Sequence, residues 1–275
     1  MSGISDQNYL LSSQYRTAAN LNARIRLHSL YSTNRYGWFR WMFDQFDLPR
    51  TARVLEVGCG PGTLWVENLS RLPVSWDVVL TDLSPGMVEE ARPNLESNSR
   101  NFSFHQADAM SIPYPGESFD AVLSIYMLYH IPDRSKALAE MRRVLKPDGK
   151  LYVATLGSMH MYELYELVNR FDPEIGARLP FGPATRDAQE HKLGFVLETA
   201  GDEIAQHFSQ VKLLRYDDAL EVTEAAPLVD YILSSSGPVF NEEHTQALAA
   251  FVQAELNTKG SIHIRKDSGL FIAQE

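Results

Sequence analysis

Cysteine is almost missing from this sequence. Its 275 residues include one, Cys59, so no intrachain disulfide framework can form and a cysteine-rich metal site is excluded. Neither the opening stretch, MSGISDQNYLLSSQYR, nor any later segment has the apolar length of a signal peptide or a membrane span. Internal repeats, low-complexity tracts and long charge runs are lacking as well. Positive charge is in deficit: the formal net charge is -10. Nucleic-acid binding draws most of its affinity from lysine and arginine neutralising phosphates, so this balance disfavours it. These gaps lead us to expect a cytoplasmic protein in a reducing compartment, with no membrane partner and no nucleic-acid partner.

Hydrophobic residues are plentiful, at 44%. That suffices for one substantial core, either a single large domain or a domain with a small cap. The one mildly basic stretch interleaves Arg16, Arg24, Arg26, Arg35 and Arg40 with Tyr31, Tyr36, Trp38 and Trp41. Such a mixture can stack bases, but at helical spacing on an acidic chain it reads as an amphipathic helix covering a pocket. Changes of period divide the chain into three zones. Residues 1–49 form an N-terminal helical cap closed by Pro49, residues 50–156 a ligand-binding core, and residues 157–275 a lid insertion with the remainder of the same domain.

Residues 51–156 alternate short apolar runs with amphipathic helices, the pattern of a parallel sheet covered on both faces. The runs ARVLEV, WDVVLTD, FSFHQAD, FDAVLSIYML and KLYVATL are the first five strands. Ser84 and Pro85 open a helix as N-cap and first-turn proline, and Pro93 predicts its end near Arg92. Past Asp133, Ala137, Leu138, Met141, Val144 and Leu145 repeat at helical spacing, and Lys146 to Gly149 is a turn. Further helices are expected at 160–171, about 187–207, 226–235 and 242–259. VKLLRY is a sixth strand, and SIHIRKDSGLFIAQ a last one with a turn near Asp267 to Gly269. The expected fold is α/β and doubly wound, a mostly parallel seven-stranded sheet with helices on both faces, an N-terminal cap and a lid insertion after strand five.

The chemistry concentrates where the first strand meets its helix. Gly58-Cys59-Gly60-Pro61-Gly62 sits directly after ARVLEV, and its glycines allow a tight turn in which backbone amides approach a ligand. A dinucleotide fingerprint needs G-x-G-x-x-G; here Thr63 stands at the sixth position, so that version is not matched. Glu56 precedes the glycines. Asp82 closes the second strand, where a carboxylate can accept hydrogen bonds from both ribose hydroxyls of a nucleoside, and Asp108 closes the third.

At these residues Val54-Leu55-Glu56-Val57-Gly58-Cys59-Gly60-Pro61-Gly62 resembles the first motif of class I S-adenosylmethionine-dependent methyltransferases. Asp82 resembles the family's ribose-binding acid, and Asp108-Ala109 the pair at the adenine edge. Phe119-Asp120 through His130-Ile131-Pro132-Asp133, with Arg143 to Gly149, is similar to the ubiquinone- and menaquinone-biosynthesis-type subgroup. The likeness covers roughly residues 50–156. It implies a Rossmann-like sheet, S-adenosylmethionine as cofactor and S-adenosylhomocysteine as product. It further implies that Glu56, Gly58, Cys59, Gly60 and Gly62 line the methionine portion, with Leu83 and Met87 beside the adenosine. Cys59 would act through its backbone.

Methyl transfer from a sulfonium is an in-line displacement, so alignment of donor and acceptor is the main task, worth roughly 7 to 11 kcal/mol. A phenol, acid or carbon acid also needs a base. His130, just past strand four, is the catalytic candidate, although this histidine accompanies the subgroup whatever its substrate and suits a structural hydrogen bond. Tyr15 is a candidate for closing over the methionine carboxylate. Tyr126, Tyr129, His28, Tyr31 and His160 are candidates for a substrate pocket. No metal-ligand spacing occurs, so no metal is expected. The leading expectation is methylation of a small-molecule acceptor at O, N or C by a monomer or homodimer. Its alternative is a protein of the same fold that binds S-adenosylmethionine for a non-methylating reaction or a regulatory role.

Overall fold

A computed structural model describes residues 19–96, 101–177, 194–236 and 240–275. The strands are β1 (Arg53–Val57), β2 (Asp77–Asp82), β3 (Asn101–Gln106), β4 (Phe119–Ile125), β5 (Leu145–Leu156), β6 (Gln210–Val222) and β7 (Ile262–Gln274). They make one sheet in the order β3-β2-β1-β4-β5-β7-β6. The first five pair in parallel. β7 lies antiparallel between β5 and β6, so the sheet is the expected doubly wound, Rossmann-like one with a reversed hairpin at one edge. The carboxyl ends of β1 to β5 therefore share one edge, where open α/β sheets bind ligands.

The helices are α1 (Ala19–Tyr31), α2 (Trp38–Asp44), α3 (Thr63–Asn68), α4 (Pro85–Leu95), α5 (Arg134–Val144), α6 (Tyr162–Phe171), α7 (Pro173–Gly176), α8 (Leu197–Ala205), α9 (Ala225–Ser236) and α10 (Glu242–Lys259). Successive strand residues face opposite sides, and the cores follow that rule. Leu55, Val122 and Val153 meet Leu138 and Met141 of α5 and Ile204 of α8. Val54, Val78 and Leu123 meet Met42 of α2, Trp65 of α3 and Ala91 of α4 on the other face. A third cluster lies beyond the parallel sheet. There Leu220 and Ile264 of the β6–β7 hairpin gather Leu27 of α1, Leu164 of α6, Ile232 of α9 and Val252 of α10.

Ser84 caps α4 as expected, accepting the N–H of Met87, and Pro85 begins it. The helix does not stop at Arg92; it runs through Pro93 to Leu95. The N–H of Glu96 closes the next turn on the carbonyl of Arg92 at 2.8 Å, and buried Leu95 packs under Gly62. That burial outweighs the hydrogen bond lost at proline. The segment Lys146 to Gly149 is a bulge within β5: the partner of Phe119 is Leu145, but that of Ala121 is Lys150.

Two other expectations are corrected. β7 runs unbroken through Asp267 to Gly269, paired with β6 along its whole length. Gly269 is needed for close approach, since a Cβ there would come within 2.9 Å of Leu197 and Leu213. The helix expected from about 187 begins at Leu197 among the described residues, because Gly194 is left-handed and Val196 extended. The expected link at 179–183 lies outside the described residues. Two groups of helices stand outside the strand–helix alternation: α6 and α7 follow β5, where the lid insertion was expected, and α9 and α10 are inserted between β6 and β7.

Candidate active site

The glycine loop is shaped by backbone bonds to the neighbouring strand. The N–H groups of Gly58 and Cys59 both donate to the carbonyl of Thr81, at 2.8 and 2.9 Å, and the hydroxyl of Thr81 donates to the carbonyl of Glu56 at 2.9 Å. Gly58, Gly60 and Gly62 have φ of 75°, 53° and 78°, a region that side chains with a Cβ strain to enter. At Gly58 the space matters as well, because a Cβ there would collide with the side chain of Met127. The chain thus presents bare backbone at the end of β1. Cys59 is buried, and desolvation pushes its thiol up, so it stays protonated.

Asp82 ties this loop to the next one. One carboxylate oxygen accepts the N–H of Gly60 at 3.0 Å and the other the N–H of Ser84 at 2.8 Å. The N–H of Leu83 donates to the same carboxylate. Burial raises the Asp82 pKa while these backbone donors oppose the rise, which holds a carboxylate ready for further donors such as paired hydroxyls. Leu83 follows, with its carbonyl accepting from Gln106 at 2.9 Å, and Met87 is buried in the first turn of α4. Asp108 folds back so that one oxygen takes the N–H of Met110 at 2.8 Å, leaving the second for a ligand, while Ala109 is buried. Asp82 thus closes β2 opposite Gln106, and Asp108 stands two residues past Gln106, beyond the end of the adjacent β3.

Glu56 is almost fully buried, at 3% exposure. It accepts the indole N–H of Trp65 at 2.5 Å. Desolvation pushes its pKa to about 8 despite that bond, so it carries a proton at neutral pH and would ionise beside a ligand ammonium. These features fit an aminoacyl nucleoside: an acid for the ammonium, bare backbone along the middle, carboxylate oxygens for the ribose and base. Trp65 and Met127 escaped the sequence reading. A tryptophan nine residues after Glu56, on the helix the glycines open, was the available signal; Met127 offered none.

The remaining candidates separate. Tyr126 is left-handed at φ 55° and stacks on Trp38 with ring centres 5.7 Å apart. Its hydroxyl bonds to Ser268 while burial drives its pKa upward. Tyr129 instead packs on the α5 side of the sheet, with its ring edge-on to His130 at 4.5 Å. His130 ends a 3-10 turn over Leu128–His130. His28 and His160 come together, ring centres 6.4 Å apart. Tyr31 is buried in the third cluster. Tyr15 lies outside the described residues. Near the histidines stands a buried pair that the sequence did not signal, Lys266 and Asp218, with Asp218 also accepting from Ser32, Thr33 and the Asn34 amide.

Residues 54–149 match the family model described as a methyltransferase domain. Over 144 residues the chain is 33% identical to the ubiquinone/menaquinone biosynthesis C-methyltransferase UbiE of Proteus mirabilis, covering 52% of this chain and 57% of that protein. It is 34% identical over 119 residues to methyltransferase GfsG of Streptomyces halstedii, covering 42% and 41% respectively. The match thus spans about half the length of these relatives. The phosphoethanolamine N-methyltransferase 2 of Haemonchus contortus, solved with S-adenosyl-L-methionine, superposes with a TM-score of 0.59 at 18% identity, over 98% of this chain and 59% of that one; at that identity it speaks for the fold. Residues 54–149, with the glycine loop and the two strand-end acids, belong to the class I S-adenosylmethionine-dependent methyltransferases.

Proposed function

We propose that the whole protein transfers the methyl group of S-adenosylmethionine to a small-molecule acceptor. The observation that carries this reading is Asp82, whose two oxygens tie the glycine loop to the start of α4 at the carboxyl edge of the sheet. When bound, the cofactor supplies an electrophilic methyl on its sulfonium. Glu56 would face its ammonium, the backbone of Gly58, Cys59, Gly60 and Gly62 its methionine portion, Asp82 its ribose, and Asp108 with Ala109, Leu83 and Met87 its adenine side.

The acceptor would sit past the ends of β4 and β5, between Tyr126 and the His28–His160 pair. β5 lies two strands from β1, about 10 Å at the usual spacing, which suits in-line approach to a methyl presented at the glycine loop. Tyr129 is turned away from that place and Tyr31 is buried in the hairpin cluster, so neither is assigned to the acceptor. His130 is the residue we assign to proton removal where the acceptor demands it.

The test is calorimetry and turnover on one set of variants. Asp82→Ala is expected to weaken S-adenosylhomocysteine binding at least tenfold, whereas His130→Ala is expected to leave that affinity intact and cut product release at least tenfold. Wild-type protein that fails to bind S-adenosylhomocysteine would overturn the reading, and normal turnover in His130→Ala would remove His130 as the base.

A further inference from the structure

Glu56 is an acid buried without a cation. It lies near the end of β1 at 3% exposure, and among the described residues no lysine, arginine or histidine pairs with it. The titratable groups that face it are Asp82 at the end of β2 and the Cys59 thiol in the glycine loop. Neither brings positive charge. A carboxyl in such surroundings costs stability, and the protein answers it with one donor: Oε2 accepts the indole N–H of Trp65 at 2.5 Å. Oε1 has no partner among the described residues, yet it is not one of the unpartnered polar atoms sealed from solvent. It is the free side of the acid.

Trp65 is held where this bond needs it. It lies on α3, the helix that left-handed Gly62 opens, and is fully buried, with its ring edge-on to Phe102 of β3 at 6.2 Å. The bond joins residues nine positions apart, so it spans the glycine loop from the strand before it to the helix after it. An indole has one donor and no acceptor. It cannot turn over to accept from a protonated carboxyl, and its bond to an ionised one is the stronger. Trp65 thus favours the charged form, against the burial that pushes Glu56 to about 8. The acid keeps its proton until a cation arrives. A ligand ammonium supplies what the protein lacks, positive charge together with donors for Oε1. A ligand amide or hydroxyl would add a donor without charge, and burial would leave the proton on Glu56.

We infer that Trp65 is a positioning residue for the cofactor's amino group: its indole N–H fixes the Glu56 carboxyl with Oε2 tied to α3 and Oε1 left for the ammonium. On binding, the Glu56 proton leaves to solvent and the carboxylate pairs with the ammonium, so charge balances within the site. Trp65 touches no reacting atom; it acts through Glu56. The inference rests on the methyltransferase reading, in which Glu56 faces the ammonium.

The experiment is calorimetry of S-adenosylhomocysteine and of 5′-methylthioadenosine, which keeps the nucleoside and sulfur but has no amino group, on wild type, Trp65→Phe, Glu56→Gln and the double variant from pH 6 to 8.5. Asp82 and Asp108 meet the shared nucleoside, so the ratio of the two affinities isolates the amino-acid end. In the wild type this ratio is expected to rise about tenfold from pH 6 to 7, the linkage of one released proton, and to level off near pH 8, where Glu56 ionises unaided. Trp65→Phe is expected to lower the ratio at pH 7 by about tenfold, the loss of a hydrogen bond to a charged group, and to leave it still rising at pH 8.5, with methylthioadenosine binding unchanged. Glu56→Gln should flatten the ratio, and adding Trp65→Phe to it should change nothing further. A wild-type ratio flat with pH, an unchanged ratio in Trp65→Phe, or a Trp65→Phe effect that persists beside Glu56→Gln would overturn the assignment. Should Trp65→Phe fail to fold, the indole N–H resonance that Glu56→Gln displaces decides. S-adenosylhomocysteine is expected to move it downfield and methylthioadenosine to leave it in place; equal shifts with both would overturn the assignment. Wild type that binds neither nucleoside would sink the methyltransferase reading, whereas binding of both at a flat ratio sinks this assignment alone.

Discussion

At the scale of single residues, Glu56 shows how burial sets chemistry. Its carboxyl titrates at about 8 in place of the ordinary 4.5 because desolvation outweighs the Trp65 hydrogen bond. The native protein therefore holds a proton that the unfolded chain releases, and cofactor-free stability should fall as pH rises from about 4.5 to about 8, by about 1.4 kcal/mol per pH unit within that window. Glu56→Gln has no proton to lose. Thermal melts between pH 6.5 and 8.5 should show the wild type declining relative to this variant; parallel profiles would mean that Glu56 is already ionised. The window avoids His28 and His160, whose lowered pKa values confine their loss of stability to pH below about 6.5. Glu56 was legible in the sequence as a motif acid. Its protonation was not, since it depends on Trp65 and on the strands packed around it.

At the scale of elements, local rules hold where nothing opposes them. Ser84 and Pro85 start α4 where the sequence places the start, and Asp133 caps α5 by accepting from the N–H of Lys136. They fail where packing has more at stake. Pro93 sits exposed inside α4, and the helix continues because Leu95 is buried beneath the glycine loop. The proline's cost is still present, so Pro93→Ala is expected to raise stability in urea unfolding by about 1–2 kcal/mol, less than the full ~3 kcal/mol helix penalty because the unfolded chain gains freedom. A destabilised variant would show that Pro93 does not strain the helix. Gly269 misleads in the same way. Its neighbours Asp267 and Ser268 read as turn chemistry, yet the requirement it meets is space for Leu197 and Leu213.

At the scale of the molecule, the long β6–β7 hairpin extends past the sheet, and the helices inserted between its strands, α9 and α10, pack on it. One buried ion pair fastens the N-terminal segment to it. Asp218 accepts from Lys266, Ser32 and Thr33 side chains and from the Asn34 and Ala219 amides, and the N–H of Thr33 donates to the carbonyl of Ala219 at 2.8 Å. Asp218→Ala leaves Lys266 buried without its partner, an expected loss of about 3–5 kcal/mol. Hydrogen exchange should then quicken at Thr33 and Asn34 well before β1 is affected. Unchanged protection there would show that α1 is held by its apolar contacts alone.

The sequence by itself determined the parallel sheet, the glycine loop, and the acids Glu56, Asp82 and Asp108. Each rests on short-range physics: apolar runs for doubly covered strands, glycines for a left-handed turn, carboxylates at strand ends. Only the tertiary structure decided which of the aromatic and histidine candidates share a space. Tyr126 and Tyr129 are three residues apart and serve different layers, whereas His28 and His160, 132 positions apart, face each other. Strand order and hairpin length set that pairing, and both depend on contacts between residues far apart in the chain, which no local pattern encodes.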